Sequence, residues 1–140
     1  MNIKLTSPNA MVPTKGTAEA AGYDLYACEG GIIEPGTTVK INTGIVAEIP
    51  QGYFGAVFAR SGLATKQGLR PANAVGVIDS DYRGDIIVAL YNDSSEPRAI
   101  NIGDRIAQLV IIPYVSPELT VVSEVSDTDR GAGGFGSTGK

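Results

Sequence analysis

From residue 38 to residue 49 the apolar side chains fall on alternate positions: Val39 and Ile41, then Ile45, Ala47 and Ile49. A period of two marks a half-buried strand, whose successive side chains point to opposite faces. Gly44 interrupts the run where a bulge or turn would fit. Residues 53–59, 86–91, 105–114 and 119–125 share this β-branched, alternating character and predict further strands. Between them stand Glu34-Pro35-Gly36, Pro50-Gln51-Gly52, residues 92–97 and Ile102-Gly103-Asp104. These are turn residues at short spacing. Helical periodicity is scarce, and only residues 64–68 predict a short helix. Many short strands broken by turns predict an all-β sandwich or barrel.

The 140-residue length favours one domain with a core of its own. Residues 1–129 carry the strand pattern. Residues 130–140 differ: five glycines among Arg130, Phe135, Ser137 and Thr138 leave little to bury, and predict a mobile arm. The formal charge of −4, without a basic run, argues against a nucleic-acid partner but leaves room for a small anion. One cysteine, Cys28, allows no intrachain disulfide and no cysteine-based zinc site, and reads as a small buried apolar residue. No targeting pattern opens the chain and no apolar run could span a membrane, so the expectation is a soluble, cytoplasmic protein with no membrane partner.

The absence of histidine narrows the chemistry most. It removes Ser-His-Asp and Cys-His catalysis and leaves proton transfer to carboxylates, Lys, Tyr or water. Three familiar patterns fail on context. Residues 131–136 spell a dinucleotide fingerprint, but no helix can follow. Residues 134–140 spell most of a P-loop without its last hydroxyl or its helix. Residues 79–84 begin like a calcium loop, but Arg83 stands at a ligand position.

Three segments carry usable chemistry. Arg60-Ser61-Gly62 ends an apolar strand and offers a guanidinium, a hydroxyl and backbone N–H groups to phosphate oxygens; alone it reads as a plain turn. In residues 73–84 the apolar run Val75 to Ile78 leads into an acidic turn. Asp79 therefore stands at the edge of the apolar body as a candidate base, with Asn73 able to read an amide-like base edge and Tyr82 offering a flat face. In the arm, Phe135 could stack on a ring while Arg130 and the hydroxyls take phosphates. Together these are parts of a nucleotide hydrolase that works without histidine.

In this order the segments resemble the five motifs of the trimeric dUTP pyrophosphatase family: residues 21–27 (AGYDLYA), 59–64 (ARSGLA), 76–84 (GVIDSDYRG), 103–110 (GDRIAQLV) and 130–139 (RGAGGFGSTG). The resemblance implies a jelly-roll-like distorted β-barrel, a homotrimer with each active site shared by three chains, and residues 130–140 closing a neighbour's site. It implies hydrolysis of dUTP to dUMP and pyrophosphate, which limits uracil in DNA and supplies dUMP for dTMP synthesis. Asp79 would activate the water that attacks the α-phosphorus. Asn73, with the backbone of Gly76, Val77 and Ile78, would read the uracil, and Tyr82 would pack against the deoxyribose. Ser61 and Gly62, with Arg60 beside them, would hold phosphate oxygens, and Gln108 would contact the phosphate chain or a metal-bound water. Mg²⁺ would be held mainly by substrate phosphates and waters, with Asp24 supporting its outer shell. Arg130, Ser137 and Thr138 would grip the γ-phosphate, while Phe135, beside Gly136, covers the uracil.

Asp85 stands where many relatives carry Glu, an exchange expected to be silent. No insertion separates the third and fourth motifs, so the extra regulatory activity of some phage members is not expected. The related dCTP deaminases share the fold, but their C-terminal pattern is missing here. A non-catalytic nucleotide-sensing trimer would have no need of Asp79, and a purely structural β-trimer no need of the arm.

Overall fold

The structure is a computed structural model, and it describes residues 1–134. The fold is all-β and jelly-roll-like. Among the described residues eleven strands run in chain order: β1 (Asn2–Leu5), β2 (Tyr23–Tyr26), β3 (Gly31–Ile33), β4 (Thr38–Asn42), β5 (Ile45–Glu48), β6 (Tyr53–Phe58), β7 (Leu69–Pro71), β8 (Gly76–Ile78), β9 (Ile87–Asn92), β10 (Arg98–Ile100) and β11 (Arg105–Pro113). One short helix among the described residues, α1 (Ser61–Gln67), sits between β6 and β7. No described helix is long and apolar enough to cross a membrane.

Every pairing is antiparallel, in a four-stranded sheet β2-β11-β6-β8, a three-stranded sheet β4-β9-β7 and two ribbons, β1-β5 and β10-β3. The alternation noted in the sequence becomes the core. Ile41, Ile45, Ala47 and Ile49 meet Leu25, Val57, Val88, Leu90, Ile106 and Leu109 in one buried cluster. Each large member contributes about 1.5–3 kcal/mol by leaving water. Gly44 does separate two strands, at φ +64°, and a Cβ there would approach Ala10 and Ser7 within 2.9 Å. The predicted turns form as well: Gly36, Gly52 and Gly103 take φ of +72°, +84° and +87°, the geometry that favours glycine. Cys28 is buried and unbonded, as read.

Two expectations need correction. The helix begins at Ser61, three residues before the predicted start, and ends with Gly68 in the left-handed conformation. Its first turn therefore contains the Ser61-Gly62 pair read as a plain turn. Residues 119–125, predicted as a strand, pair with nothing among the described residues; Leu119, Val121 and Val125 are 95%, 100% and 84% exposed. An alternating segment becomes a strand only when an edge is offered to its N–H and C=O groups. Among the described residues none of the open sheet edges takes this one up.

Candidate active site

Three adjacent strands build one part of the site. In β11, Gln108 lies opposite Asp24 of β2 and Phe58 of β6. Cross-strand partners share a sheet face, so these three side chains stand in a row, away from Leu25, Val57 and Leu109 in the core. Arg60, two residues beyond Phe58, donates from Nε to Asp24 Oδ1 at 2.7 Å, and Arg105 donates from Nη1 to Oδ2 at 3.2 Å. Both bonds are charge-assisted. Gln108 Nε2 donates to the Ala59 carbonyl at 2.9 Å. Its Oε1 packs so close to Gly22 that a Cβ there would come within 2.6 Å.

Ser61 and Gly62 are exposed in the first turn of α1, where backbone N–H groups have no intrahelical acceptor. They line a groove of about 650 Å³ together with Asp24, Arg60, Arg105 and Gln108. Its charged lining residues are Arg60, Lys66 and Arg105 against Asp24 alone. That balance, with a hydroxyl and free N–H groups, suits phosphate oxygens.

The other part forms around β8. Asn73, Gly76, Ile78, Asp79, Tyr82 and Asp85 line a cavity of about 300 Å³ with apolar walls, at the small end of ligand pockets. Asp79 and Tyr82 begin and close one turn, the Tyr82 N–H reaching the Asp79 carbonyl at 3.2 Å. Arg83 pins that turn by donating to the carbonyls of Ser80 at 2.7 Å and Tyr82 at 3.0 Å. Asn73 sits at a strained tip. Ala74, next to it, has φ +61°, and the Val75 N–H folds back to the Asn73 carbonyl at 2.7 Å. A positive φ in a residue with a Cβ costs about 1–2 kcal/mol.

The two parts do not meet within one chain. β8 runs antiparallel to β6, with Ile78 opposite Gly55 and Gly76 opposite Val57. Asp79 thus lies at the start of β6, while Ser61 and Gly62 lie beyond its end. At about 3.3 Å per residue the separation along the strand is roughly 20 Å, and neither cavity contains residues of both groups. Arg130 lines neither; its Nε donates to the Gly133 carbonyl at 2.9 Å, within its own exposed turn. Phe135, Gly136, Ser137 and Thr138 lie outside the described residues.

Sequence reasoning gave no role to Ala74, Gly22 or Arg105. Gly22 and Arg105 left a signal only as members of the first and fourth motifs, and Ala74 left none. Nor did it anticipate what Asp85 does. The Asn42 amide, then the Thr6 hydroxyl, hold the Asp85 carboxyl below its ordinary value, helped slightly by Lys4 and opposed by burial. A carboxyl lowered in the folded state contributes stability above its unfolded value of about 4 and loses it as pH falls through the lower folded value. Asp85→Asn should therefore melt below the native protein at pH 7, and the gap should close as pH drops below about 4. A gap unchanged at pH 3 would remove the carboxylate from the account.

Comparison with known proteins gives one answer. The family described as dUTPase matches residues 8–139. The deoxyuridine 5'-triphosphate nucleotidohydrolase of Nautilia profundicola is 51% identical over 140 residues, covering 100% of this chain and 99% of that protein. The enzyme of the same name from Desulfitobacterium hafniense is 53% identical over 131 residues, covering 91% and 87%. The fold superposes on the dUTPase of Staphylococcus bacteriophage 80alpha bound to dUPNHPP with a TM-score of 0.93, at 33% identity over 99% of this chain and 98% of that one. A mutant dUTPase from phage phi11 of S. aureus, described as coordinating a structural Mg(II) ion, gives 0.82 at 31% identity, covering 88% and 96%. Family match, full-length relatives and superposed fold agree with one another, and this chain belongs to the dUTPase family.

Proposed function

We propose that this chain hydrolyses dUTP to dUMP and pyrophosphate, as a homotrimer whose active sites are each completed by neighbouring chains. The observation that carries the second half is the separation of Asp79 from Ser61 along β6. A nucleotide seated by its base near Asn73 would bring its α-phosphorus to Asp79. Its remaining phosphates lie only two anhydride bridges away, far short of roughly 20 Å along a strand. Phosphate donors of the Ser61 type must then come from another copy. The exposed apolar residues between Val115 and Val125 support the same reading, since a monomer would leave them in water.

In the assembled site Asn73 and the backbone of residues 76–78 hold the uracil, and Tyr82 packs against the deoxyribose. Asp79 orients a water for in-line attack at the α-phosphorus and takes its proton. Ser61, Gly62 and Arg60 of another copy bind the phosphates, with Gln108 beside them. Asp24 fixes the direction of Arg60 and Arg105. The arm, residues 130–140, closes over the substrate and excludes water, with Phe135 over the base and Arg130, Ser137 and Thr138 on the terminal phosphate.

Mg²⁺ fits this donor set. Both Asp24 oxygens already accept a guanidinium N–H, but a carboxylate has about four lone-pair sites, which leaves acceptors for a metal's hydration shell. Bound to the phosphates and to water, the ion would neutralise charge on the leaving pyrophosphate.

The test is pyrophosphate release with Mg²⁺ from dUTP, dTTP, dCTP and UTP in parallel. Release from dUTP alone is the expected result. Binding of dUTP without release would favour nucleotide sensing, and no binding would overturn the assignment.

A further inference from the structure

Asp85 has no part in the chemistry proposed above, yet separate segments of the chain converge on its carboxylate. Oδ1 accepts the Thr6 hydroxyl at 2.8 Å and Oδ2 accepts the Asn42 amide at 2.9 Å. Thr6 follows β1 and Asn42 ends β4. The loop between β4 and β5 ties the two together. Asn42 Oδ1 accepts the Gly44 N–H at 2.8 Å, and the Gly44 carbonyl accepts the Thr6 N–H at 2.9 Å. Residues 6, 42, 44 and 85 thus form a closed ring of bonds in which each member limits the movement of the others.

The peptide carbonyl of Asp85 is held with the residue, and that carbonyl accepts the Tyr82 hydroxyl at 3.1 Å. Tyr82 is 43% exposed and belongs to no core cluster. Two contacts hold its ring: the hydroxyl anchor on Asp85 and the bare α-carbon of Gly84, where a Cβ would collide with the hydroxyl and ring carbons. Asp79, Tyr82 and Asp85 line one cavity, so the position of the ring shapes that cavity.

Given the reading that Tyr82 packs against the deoxyribose, we infer that Asp85, acting with Gly84, is a specificity-determining positioning residue that fixes the Tyr82 ring against a 2′-hydroxyl. Rejecting a substrate for one added hydroxyl requires a wall that does not yield; a pocket that relaxes discriminates weakly. A half-exposed tyrosine cannot be such a wall alone, because rotation about χ1 would open space for ribose. The ring of bonds through Thr6, Asn42 and Gly44 supplies the stiffness, and the Asp85 carbonyl passes it to the hydroxyl.

The test compares specificity constants for UTP and dUTP in Tyr82→Ala, Tyr82→Phe, Asp85→Ala, Gly84→Ala and the double variant Tyr82→Phe/Asp85→Ala. Asp85→Ala, which cuts the carboxylate's bonds to Thr6 and Asn42 but keeps the carbonyl that anchors Tyr82, should raise the UTP-to-dUTP ratio about tenfold, the scale of a net hydrogen-bond loss. Gly84→Ala, which leaves the carboxylate ring intact but displaces the tyrosine, should raise it similarly, and it carries the test should Asp85→Ala fail to fold. The double variant should show no more than the larger single effect. A native ratio in both Asp85→Ala and Gly84→Ala, with relaxation in Tyr82→Ala, overturns the inference and spares the sugar reading. A native ratio in Tyr82→Ala overturns the sugar reading itself. Effects that multiply in the double variant show Asp85 acting elsewhere, which also overturns the inference.

Discussion

Asp79→Asn is expected to lower turnover of dUTP by about 10³-fold while leaving its binding nearly unchanged, within the range that general bases contribute. The amide keeps the shape of the side chain but cannot take a proton from water. Asp79 is exposed at the end of β8, and its substitution removes no core contact. Stability should therefore hold within about 0.5 kcal/mol, and a thermal melt beside the kinetics separates lost chemistry from lost fold. The variant also tests the assembly. Asp79→Asn and Ser61→Ala protein, unfolded together and refolded, should regain activity that neither shows alone. Mixed trimers would contain sites with an intact base from one copy and an intact phosphate turn from another. Native turnover in Asp79→Asn would remove the base assignment. Failure of the mixture to recover, with mixed trimers shown to form, would place both groups in one chain's site.

Removal of residues 130–140 is expected to leave a folded trimer that turns over dUTP about a hundredfold or more slowly, the scale on which imperfect positioning costs rate. Arg130 bonds only within its own turn among the described residues, to Gly133, and the core cluster draws on nothing beyond Ile111. The arm thus adds little to the fold in view. Sedimentation and a melt should match the full chain while activity falls. A truncated protein that runs as a monomer would show that the arm holds the assembly, and one with native turnover would remove it from the site.

Much of the frame was legible along the chain. The alternation of Val39, Ile41, Ile45, Ala47 and Ile49, and the glycines at 36, 44, 52 and 103, led to the observed strands and turns. These are local effects: a period of two sorts side chains to two faces, and a positive φ calls for glycine whatever lies elsewhere. The short strands β1, β2, β3, β7, β8 and β10 were not legible, because a run of three or four residues carries no measurable period unless, as in β5, it continues a longer alternation. Residues 119–125 show the opposite failure. Their pattern is that of a strand, but the pattern states a capacity to pair and not that an edge takes it up.

The site divides the same way. Residue types and order nominated the side chains proposed to carry chemistry: without histidine, proton transfer is left to carboxylates, Lys, Tyr or water, with Asp79 the candidate base, and Arg60-Ser61-Gly62 is the candidate phosphate turn. Only the tertiary structure decided their arrangement. Antiparallel pairing of β6 with β8 sends Asp79 and Ser61 to opposite ends of one strand, and the β2-β11-β6 register lays Asp24 beside Gln108 and commits it to Arg60 and Arg105. It also brings Thr6 and Asn42 onto Asp85 from 79 and 43 residues away. Such contacts depend on the register of distant strands, which is set by how all apolar faces fill one core together and by no segment alone.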